Sequence, residues 1–512
     1  MSPRGMLRSS AMSRRRRAAA GESPGGEPLP RDEWKLLGAI LFLAAALRLW
    51  LASRNAGLTM DSPLYMEMAR ALARGEPAVG PAHHGYSAIV ALVGTLVPGR
   101  LLPGRVVSFV AGLVVVALGY FLIRRSVSPP WAGLTAGLLA FHPLLAVYSG
   151  PAMTETTYLA FLVAALLLAD RGRLFLGGVV LGLGYAIRPE ALVAAAGVAA
   201  LTRGGWRGAL LMLAGFALVA APYVGYLSRE RGEFTLTPKS ALVRPPETQP
   251  RQAEWRIGDA RRPVREPHRT LIERFRWAMP GMAKHYLPHL AGHARRLLEA
   301  WPWPLMALSA LGLVIRRGPE AGTLVHLFVL PLLAVGPDIR FAMLFLPALA
   351  VSAAAAVAWG TARWSRSEGV IMAAGIGLAI AGIAWSWTGP PGRHALRFDD
   401  GPMPQMREAG EWLQRNGRQG AIVMDRKAYV PFFAGMRHVQ LPDDDYETII
   451  EYAHTSGVDY LVLEEYVAEG LRRQLLPLIA DARFRAGEHR LRTIYHIRSG
   501  PHTGVAIMEV LH

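Results

Sequence analysis

Two carboxylates stand at the edges of apolar runs, and they are the side chains best placed to do chemistry. Asp61 lies in TMDSPLYMEMARALARG, directly after the first apolar run, with Tyr65, Met68, Ala69 and Leu72 following at helical spacing. Glu155 lies in SGPAMTETTYLAFL, at the mouth of a later run. A carboxylate at a membrane boundary is costly unless it is solvated, paired or used, and a positioned one can take the proton of an attacking hydroxyl. Each acid also has a plainer reading. Asp61 fits the cap of a helix starting near Ser62, with Pro63 suited to its first turn. Glu155 fits a helix start that Thr154 or Ser149 would cap. Two such acids at one membrane face carry more weight together than apart.

Other chemistries find less footing. Without cysteine there can be no disulfide, zinc-thiolate site or thiol nucleophile. No serine-hydrolase, kinase, Walker or zinc-protease motif is present. His285, His289 and His293 share one helix face at i, i+4, i+8, but Pro288 would strain that helix and an interfacial amphipathic stretch explains the spacing equally well. Gly177, Gly178, Gly182 and Gly184 lack the third glycine and preceding soluble strand of a nucleotide fingerprint; tight packing of membrane helices accounts for them.

The elements that must position these residues are apolar. Of the 512 residues 52% are hydrophobic and only 18% charged, which excludes an ordinary soluble enzyme. Runs near 34–52, 104–123, 131–149, 154–169, 174–188, 190–201, 207–226, 302–315, 321–336, 341–360 and 369–387 predict about eleven spans of an all-α polytopic membrane domain, some crossing only with help from their flanks. Charge decides the ambiguous run 84–98. If it lies on the surface or re-enters, a cytoplasmic N-terminus puts Arg124/Arg125, Arg171/Arg173, Arg203/Arg207, Arg316/Arg317 and Arg363/Arg366 all inside. A full crossing there would flip every one of them, so the positive-inside rule argues against it. The loop 53–103, the segment 227–301 and the C-terminal tail then face outward, as do the short turns at 150–153, 188–190 and 336–340. Arg48, near the outer end of the first run, is expected to reach toward the headgroups.

Residues 1–33 read as a disordered basic cytoplasmic tail. The net charge of +18 is almost all arginine, since only Lys35, Lys239, Lys284 and Lys427 are lysines. Beside a membrane span this bias reads as a cytoplasmic anchor, not as a nucleic-acid footprint. Segment 227–301 is strongly basic, either to attract phosphate headgroups or as a solvated loop. Residues 389–512 read as a small soluble α/β domain. Its expected strands are 421–425, 438–442, 459–465, 492–498 and 504–511, its helices 404–416, 444–456 and 467–480. No catalytic constellation is visible in it.

Five pieces, in order, resemble the polyprenyl-phosphate-sugar-dependent glycosyltransferases of the GT-C fold, in particular the family-39 group with protein O-mannosyltransferases and lipid A aminoarabinose transferases. They are DSPLYMEMARALARGEP, HHGYSAIVALVGTL, FHPLLAVYSGPAMTETTYLAF, GLGYAIRPEALV and GPDIRFAMLFLPALAV. The chain departs from the pattern at Ser62, where many relatives carry a second acid, and at His83-His84, where they carry two prolines. The resemblance implies a GT-C domain over 34–388 and a membrane enzyme of the bacterial inner membrane, with its C-terminal domain outside. Such an enzyme moves a sugar from a polyprenyl-phosphate donor to an acceptor hydroxyl or phosphate, with inversion. It implies Asp61 as base and Glu155 as a second catalytic acid that binds acceptor, metal or sugar. It implies His83, His84, Arg188 and Arg340 near the donor phosphate, where cations stabilise the leaving group, and Tyr65, Tyr86 and Asp338 at the substrate. A divalent metal is allowed but no ligand set is visible, and no cofactor is certain. The expected partners are a polyprenyl-linked sugar, an acceptor protein, lipid or glycan, and membrane lipids. The rival readings are a transporter or flippase for a lipid-linked saccharide, which would put polar groups near the bilayer midplane, and a non-catalytic scaffold whose soluble tail binds a partner.

Overall fold

A computed structural model describes residues 30–511, apart from 55–58, 60, 77, 79–81, 203, 232–233, 239–270, 333–335, 365–366, 398–402, 443–445, 472–474 and 481–489. The predicted tail up to residue 29 and most of the basic stretch within 227–301 lie outside the described residues. The membrane part comprises α1 (Arg31–Arg54), α2 (Ser62–Ala73), α3 (His84–Gly94), α4 (Leu102–Arg124), α5 (Pro129–Phe141), α6 (Pro143–Val147), α7 (Thr154–Asp170), α8 (Leu174–Tyr185), α9 (Glu190–Ala200) and α10 (Gly205–Arg231). It continues with α11 (Leu271–Ala300), α12 (Trp303–Arg316), a 3-10 turn at Pro319–Val325, α13 (His326–Leu332), a second at Ile339–Leu344, α14 (Leu346–Arg363) and α15 (Glu368–Thr388).

Each expected span falls on helix, but several are shorter or broken. Among the described residues four helices are singly long and apolar enough to cross: Arg31–Arg54, Leu102–Arg124, Gly205–Glu230 and Gly369–Thr388. The run 131–149 breaks at His142, held extended because Pro143 follows it and cannot donate into a helix. The turn Trp301–Pro302 bends α11 against α12 by 103°. Helix α3, only 11 residues long, is too short to span a bilayer.

Polar residues collect at the two ends of this bundle. At one end Glu33 accepts hydrogen bonds from Tyr120 (2.9 Å) and Arg124 (2.6 Å), while Arg316 binds Asp170 (2.9 Å) and Glu320 (2.7 Å). At the other end the segments near residues 59–105, 150–154 and 186–190 meet. There Arg105 donates to the carbonyls of Ala52 (2.9 Å) and Gly150 (3.2 Å), and the Gly85 amide donates to the Ala186 carbonyl (2.6 Å). Arg48 corrects the expectation that it reaches the headgroups. It is fully buried and donates to Ser149 Oγ (3.1 Å) and to the carbonyls of Ala44 (3.1 Å) and Ala140 (2.9 Å). Internal acceptors near the chain break at His142 engage Nε and Nη1 of the guanidinium inside the bundle, while Nη2 is buried without a hydrogen-bond partner among the described residues.

Helices α8 and α10 approach as closely as backbones allow. A Cβ on Gly178 would fall on the Met212 carbonyl, and one on Gly215 on the Phe175 carbonyl. The small residues are therefore the packing surface itself.

The C-terminal part holds α16 (Pro390–Leu396), α17 (Met403–Asn416), β1 (Ile422–Asp425), α18 (Tyr429–Ala434), β2 (Arg437–Gln440), α19 (Tyr446–Thr455), β3 (Tyr460–Glu464), α20 (Glu465–Leu471), α21 (Leu476–Ala480), β4 (Leu491–Ile497) and β5 (Val505–Val510). The sheet order is β2-β1-β3-β5-β4, with β1 parallel to both neighbours and β5 antiparallel to β3 and β4. Along β3, wholly buried, alternate residues serve two cores. Leu461 and Leu463 pack with α19. Tyr460 and Val462 join Val430 and Phe432 in a core continuous with that of the membrane helices. The short helix α18 was not among the expected elements; its sequence YVPFFA is an apolar run too brief to carry a period.

Asp425 and Glu464 end the adjacent strands β1 and β3, with relative exposures of only 1% and 3%. Burial raises the Asp425 carboxyl to about 8. Burial, reinforced by Asp425, also pushes Glu464 well up. The folded chain therefore holds protons that the unfolded chain releases above the ordinary carboxylate range near 4. The contribution of this pair to stability is fully present at acid pH, falls as pH rises toward about 8, and then levels off. Melting temperature against pH should show this decline, and Asp425→Asn should flatten it; an unchanged slope would refute the assignment. Separately, Gly178→Val should cost at least about 2 kcal/mol by overpacking α8 against α10. The control Gly225→Ala, at an exposed position of α10 with open space around it, should cost nothing.

Candidate active site

Asp61 occupies the cap position of α2, yet its carboxylate makes no capping bond. Thr59 and Ser62 satisfy each other instead, the Thr59 amide donating to Ser62 Oγ at 2.9 Å. The Asp61 carboxylate is thereby turned away from its own helix. Lys427 Nζ donates to its Oδ1 at 3.0 Å, and Arg340 Nη1 to its Oδ2 at 3.4 Å. All three side chains are about one-third exposed, at 32%, 32% and 30%.

Glu155 is deeper. It sits in the first turn of α7, its side chain 6% exposed, and no capping bond engages it. Arg188 Nη1 donates to Glu155 Oε1 at 2.7 Å and to Thr154 Oγ1 at 3.1 Å. The other edge of the same guanidinium holds Glu190 through two bonds, 2.7 and 3.3 Å. This planar fork suits two carboxylates at once, as a lysine would not. Arg340 bridges the two acids: besides Asp61 it lies 3.9 Å from Glu155 and 3.3 Å from Asp338, which also receives its backbone amide at 3.0 Å. One chain of charge thus runs Lys427–Asp61–Arg340–Glu155–Arg188–Glu190, with Asp338 branching from Arg340.

Tyr65, one turn along α2 from Asp61, is buried at the edge of this network. Burial, with the Asp61 and Glu155 charges added, drives its hydroxyl pKa upward, so it stays a hydrogen-bond donor. Its ring packs edge-on against Tyr86 at 5.3 Å. Tyr86 turns its own hydroxyl away, donating to the Gly104 carbonyl at 3.0 Å. His83 and His84 belong to a separate aromatic layer with Tyr185, Tyr223 and Tyr226. His83 Nε2 pairs with Thr237 Oγ1 at 3.1 Å. His84 Nε2 donates to the Ala78 carbonyl at 2.9 Å, and Nδ1 pairs with the Tyr223 hydroxyl at 3.0 Å. The structure therefore unites Asp61, Glu155, Arg188, Arg340 and Asp338, sets Tyr65 beside them, and holds Tyr86, His83 and His84 through other partners. His285 and His289 stack on one another at 5.8 Å while His293 packs on Phe341. Among the described residues no group of three or more His, Cys, Asp or Glu side chains converges as a metal site.

Lys427 is the member that sequence reasoning missed. The C-terminal domain reaches this face through more than one contact: Arg100 donates to the Phe433 carbonyl at 2.9 Å, and the Arg70 guanidinium lies over the Phe432 ring at 4.9 Å. A usable signal existed. Lys427 is one of four lysines in an arginine-rich chain and follows the carboxyl end of a parallel strand, where open α/β sheets place functional groups.

No family model matches the sequence, and no curated protein matches it. Solved structures do. ArnT from Cupriavidus metallidurans in the apo state superposes with a TM-score of 0.57 at 12% identity, over 92% of this chain and 97% of that one. The same protein bound to undecaprenyl phosphate gives 0.53 at 13%, over 94% and 98%. The Archaeoglobus fulgidus oligosaccharyltransferase tethered to an acceptor peptide gives 0.53 at 13%, over 88% of this chain and 72% of that one. These neighbours are membrane proteins of the GT-C fold, and by that likeness the chain is a multi-pass membrane protein of the same fold.

Proposed function

We propose that this chain is a glycosyltransferase that moves a sugar from a polyprenyl-phosphate donor to an acceptor hydroxyl, with inversion and with Asp61 as the base. The observation that carries the reading is the Asp61 carboxylate, freed from capping duty and turned into a cluster of cations at the mouth of the bundle. The likeness to a protein that binds undecaprenyl phosphate and to one that receives an acceptor peptide supports the donor and acceptor classes. The acceptor is a protein, a lipid or a glycan, and the site faces outward from a bacterial inner membrane, where charge parity places the loops that build it.

In the proposed step the bond between the anomeric carbon and the phosphate oxygen breaks, and its electron pair stays on the phosphate. The acceptor oxygen bonds to that carbon from the opposite face, and its proton passes to Asp61. The phosphate gains negative charge as it leaves, so a nearby cation lowers the barrier. Arg340 is the arginine suited to this, being partly exposed and shared among three acids. Arg188 is committed to Glu155 and Glu190 and serves to hold Glu155 in place. Tyr65, kept protonated, offers a hydroxyl to a sugar oxygen.

Two outcomes test the division of labour. Asp61→Asn should lower turnover by on the order of 100-fold or more while undecaprenyl phosphate still binds; equal turnover in variant and parent, measured in lipid with a panel of donors, would remove Asp61 as the base. Arg188→Met leaves two carboxylates buried beside each other and should cost roughly 3 kcal/mol of stability. Asp338→Asn, at a half-exposed pair, should cost less than about 1 kcal/mol by the same thermal unfolding measurement.

A further inference from the structure

The cations around the two acids are not equivalent. Arg188 is locked by a buried bidentate pair and by Glu155, with its side chain 10% exposed. Lys427 is 32% exposed and meets Asp61 at the end of a flexible four-carbon stem. Its backbone, by contrast, is fixed. The Lys427 carbonyl accepts from the Tyr429 amide at 2.6 Å, and Oδ1 of the buried Asp425 carboxyl accepts from the Lys427 amide at 3.4 Å. Strand β1 thus delivers a mobile ammonium on a rigid mount, directly onto the carboxylate of the membrane domain.

That contact poses a problem for proton transfer. A carboxylate clamped by two cations, at 3.0 and 3.4 Å, is a poor base, and an acceptor hydroxyl must compete for the same oxygens. We propose that Lys427 is a phosphate-contacting cation supplied by the C-terminal domain, which leaves Asp61 for the donor phosphate and so releases the base when the donor is in place. This rests on the glycosyl transfer proposed above. As the glycosidic bond to phosphate breaks, the electron pair moves onto the phosphate, where the ammonium already in place stabilises the added charge, and the carboxylate it has vacated receives the acceptor's proton.

The test uses the full chain in lipid nanodiscs with undecaprenyl phosphate as probe, comparing the parent with Lys427→Gln and Lys427→Arg. Lys427→Gln should weaken lipid-phosphate binding about tenfold, the scale of one charged hydrogen bond, and Lys427→Arg should recover most of it. The acid limb of kcat/KM should move to higher pH in Lys427→Gln, because Asp61 has lost a cation. Unchanged binding and an unchanged acid limb in Lys427→Gln, with only the melting temperature lowered, would overturn the proposal and leave Lys427 a tether between domains. A parent chain that binds the lipid phosphate but transfers nothing would sink the transferase reading alone, and the binding comparison would still decide the role of Lys427. A parent chain that binds no lipid phosphate would sink both.

Discussion

The guanidinium of Arg188, shared between Glu155 and Glu190, is the interaction on which the polar mouth of this bundle depends. Without it both carboxyl groups would lie buried with their nearest cation gone, and the desolvation of a lone buried carboxylate exceeds any single neutral hydrogen bond. Arg188 and Glu190 flank Pro189 at the turn between α8 and α9, so the chain folds back with both partners already placed. The start of α7 then docks on that turn through Thr154 and Glu155. From this anchor the network extends outward to Arg340 and Asp61, growing steadily more exposed. Rigid charge lies inside and adjustable charge at the rim, an order suited to a site that must hold its shape while groups enter and leave.

Much of the membrane part was legible because apolar runs and arginine placement are local signals. Asp61, Glu155, Arg188, Arg340 and Asp338 could be picked out since each sits within a few residues of a run's end. Where reading failed, the cause was a partner distant in sequence. Arg48 reads as a headgroup anchor until the internal acceptors near Ala140 and Ser149 are known, and those arise only because Pro143 breaks the helix there. His83 and His84, which the resemblance implies near a phosphate, have ring partners that were likewise not legible: Thr237, Tyr223 and the Ala78 carbonyl. Lys427 lies 366 residues from Asp61, and no periodicity links the two. The strands of the C-terminal domain were visible by composition, whereas the face it turns to the membrane was not.

That face is apolar as well as charged. Val430 and Phe432 of α18 and Val462 of β3 belong to the same buried cluster as the membrane helices. A domain held only by surface ion pairs would tilt freely, since such pairs contribute little. A shared core fixes the height at which β1 ends above the bundle, and so fixes how far the Lys427 stem must reach. The few polar contacts, from Arg100 and Arg70 to α18, then set the register of that apolar contact.

The shared core also orders the birth of the molecule in time. The bundle is threaded into the bilayer as it is made, so Asp61 arrives while the strand that precedes Lys427 is still hundreds of residues from leaving the ribosome. Until that strand has paired with β3, and β3 with β5, the charged mouth stands open to water on one side. Strands made late therefore complete a surface begun much earlier by the loop that carries Asp61, and a chain cut short before β5 would insert well and yet remain unfinished at the place where its acids meet.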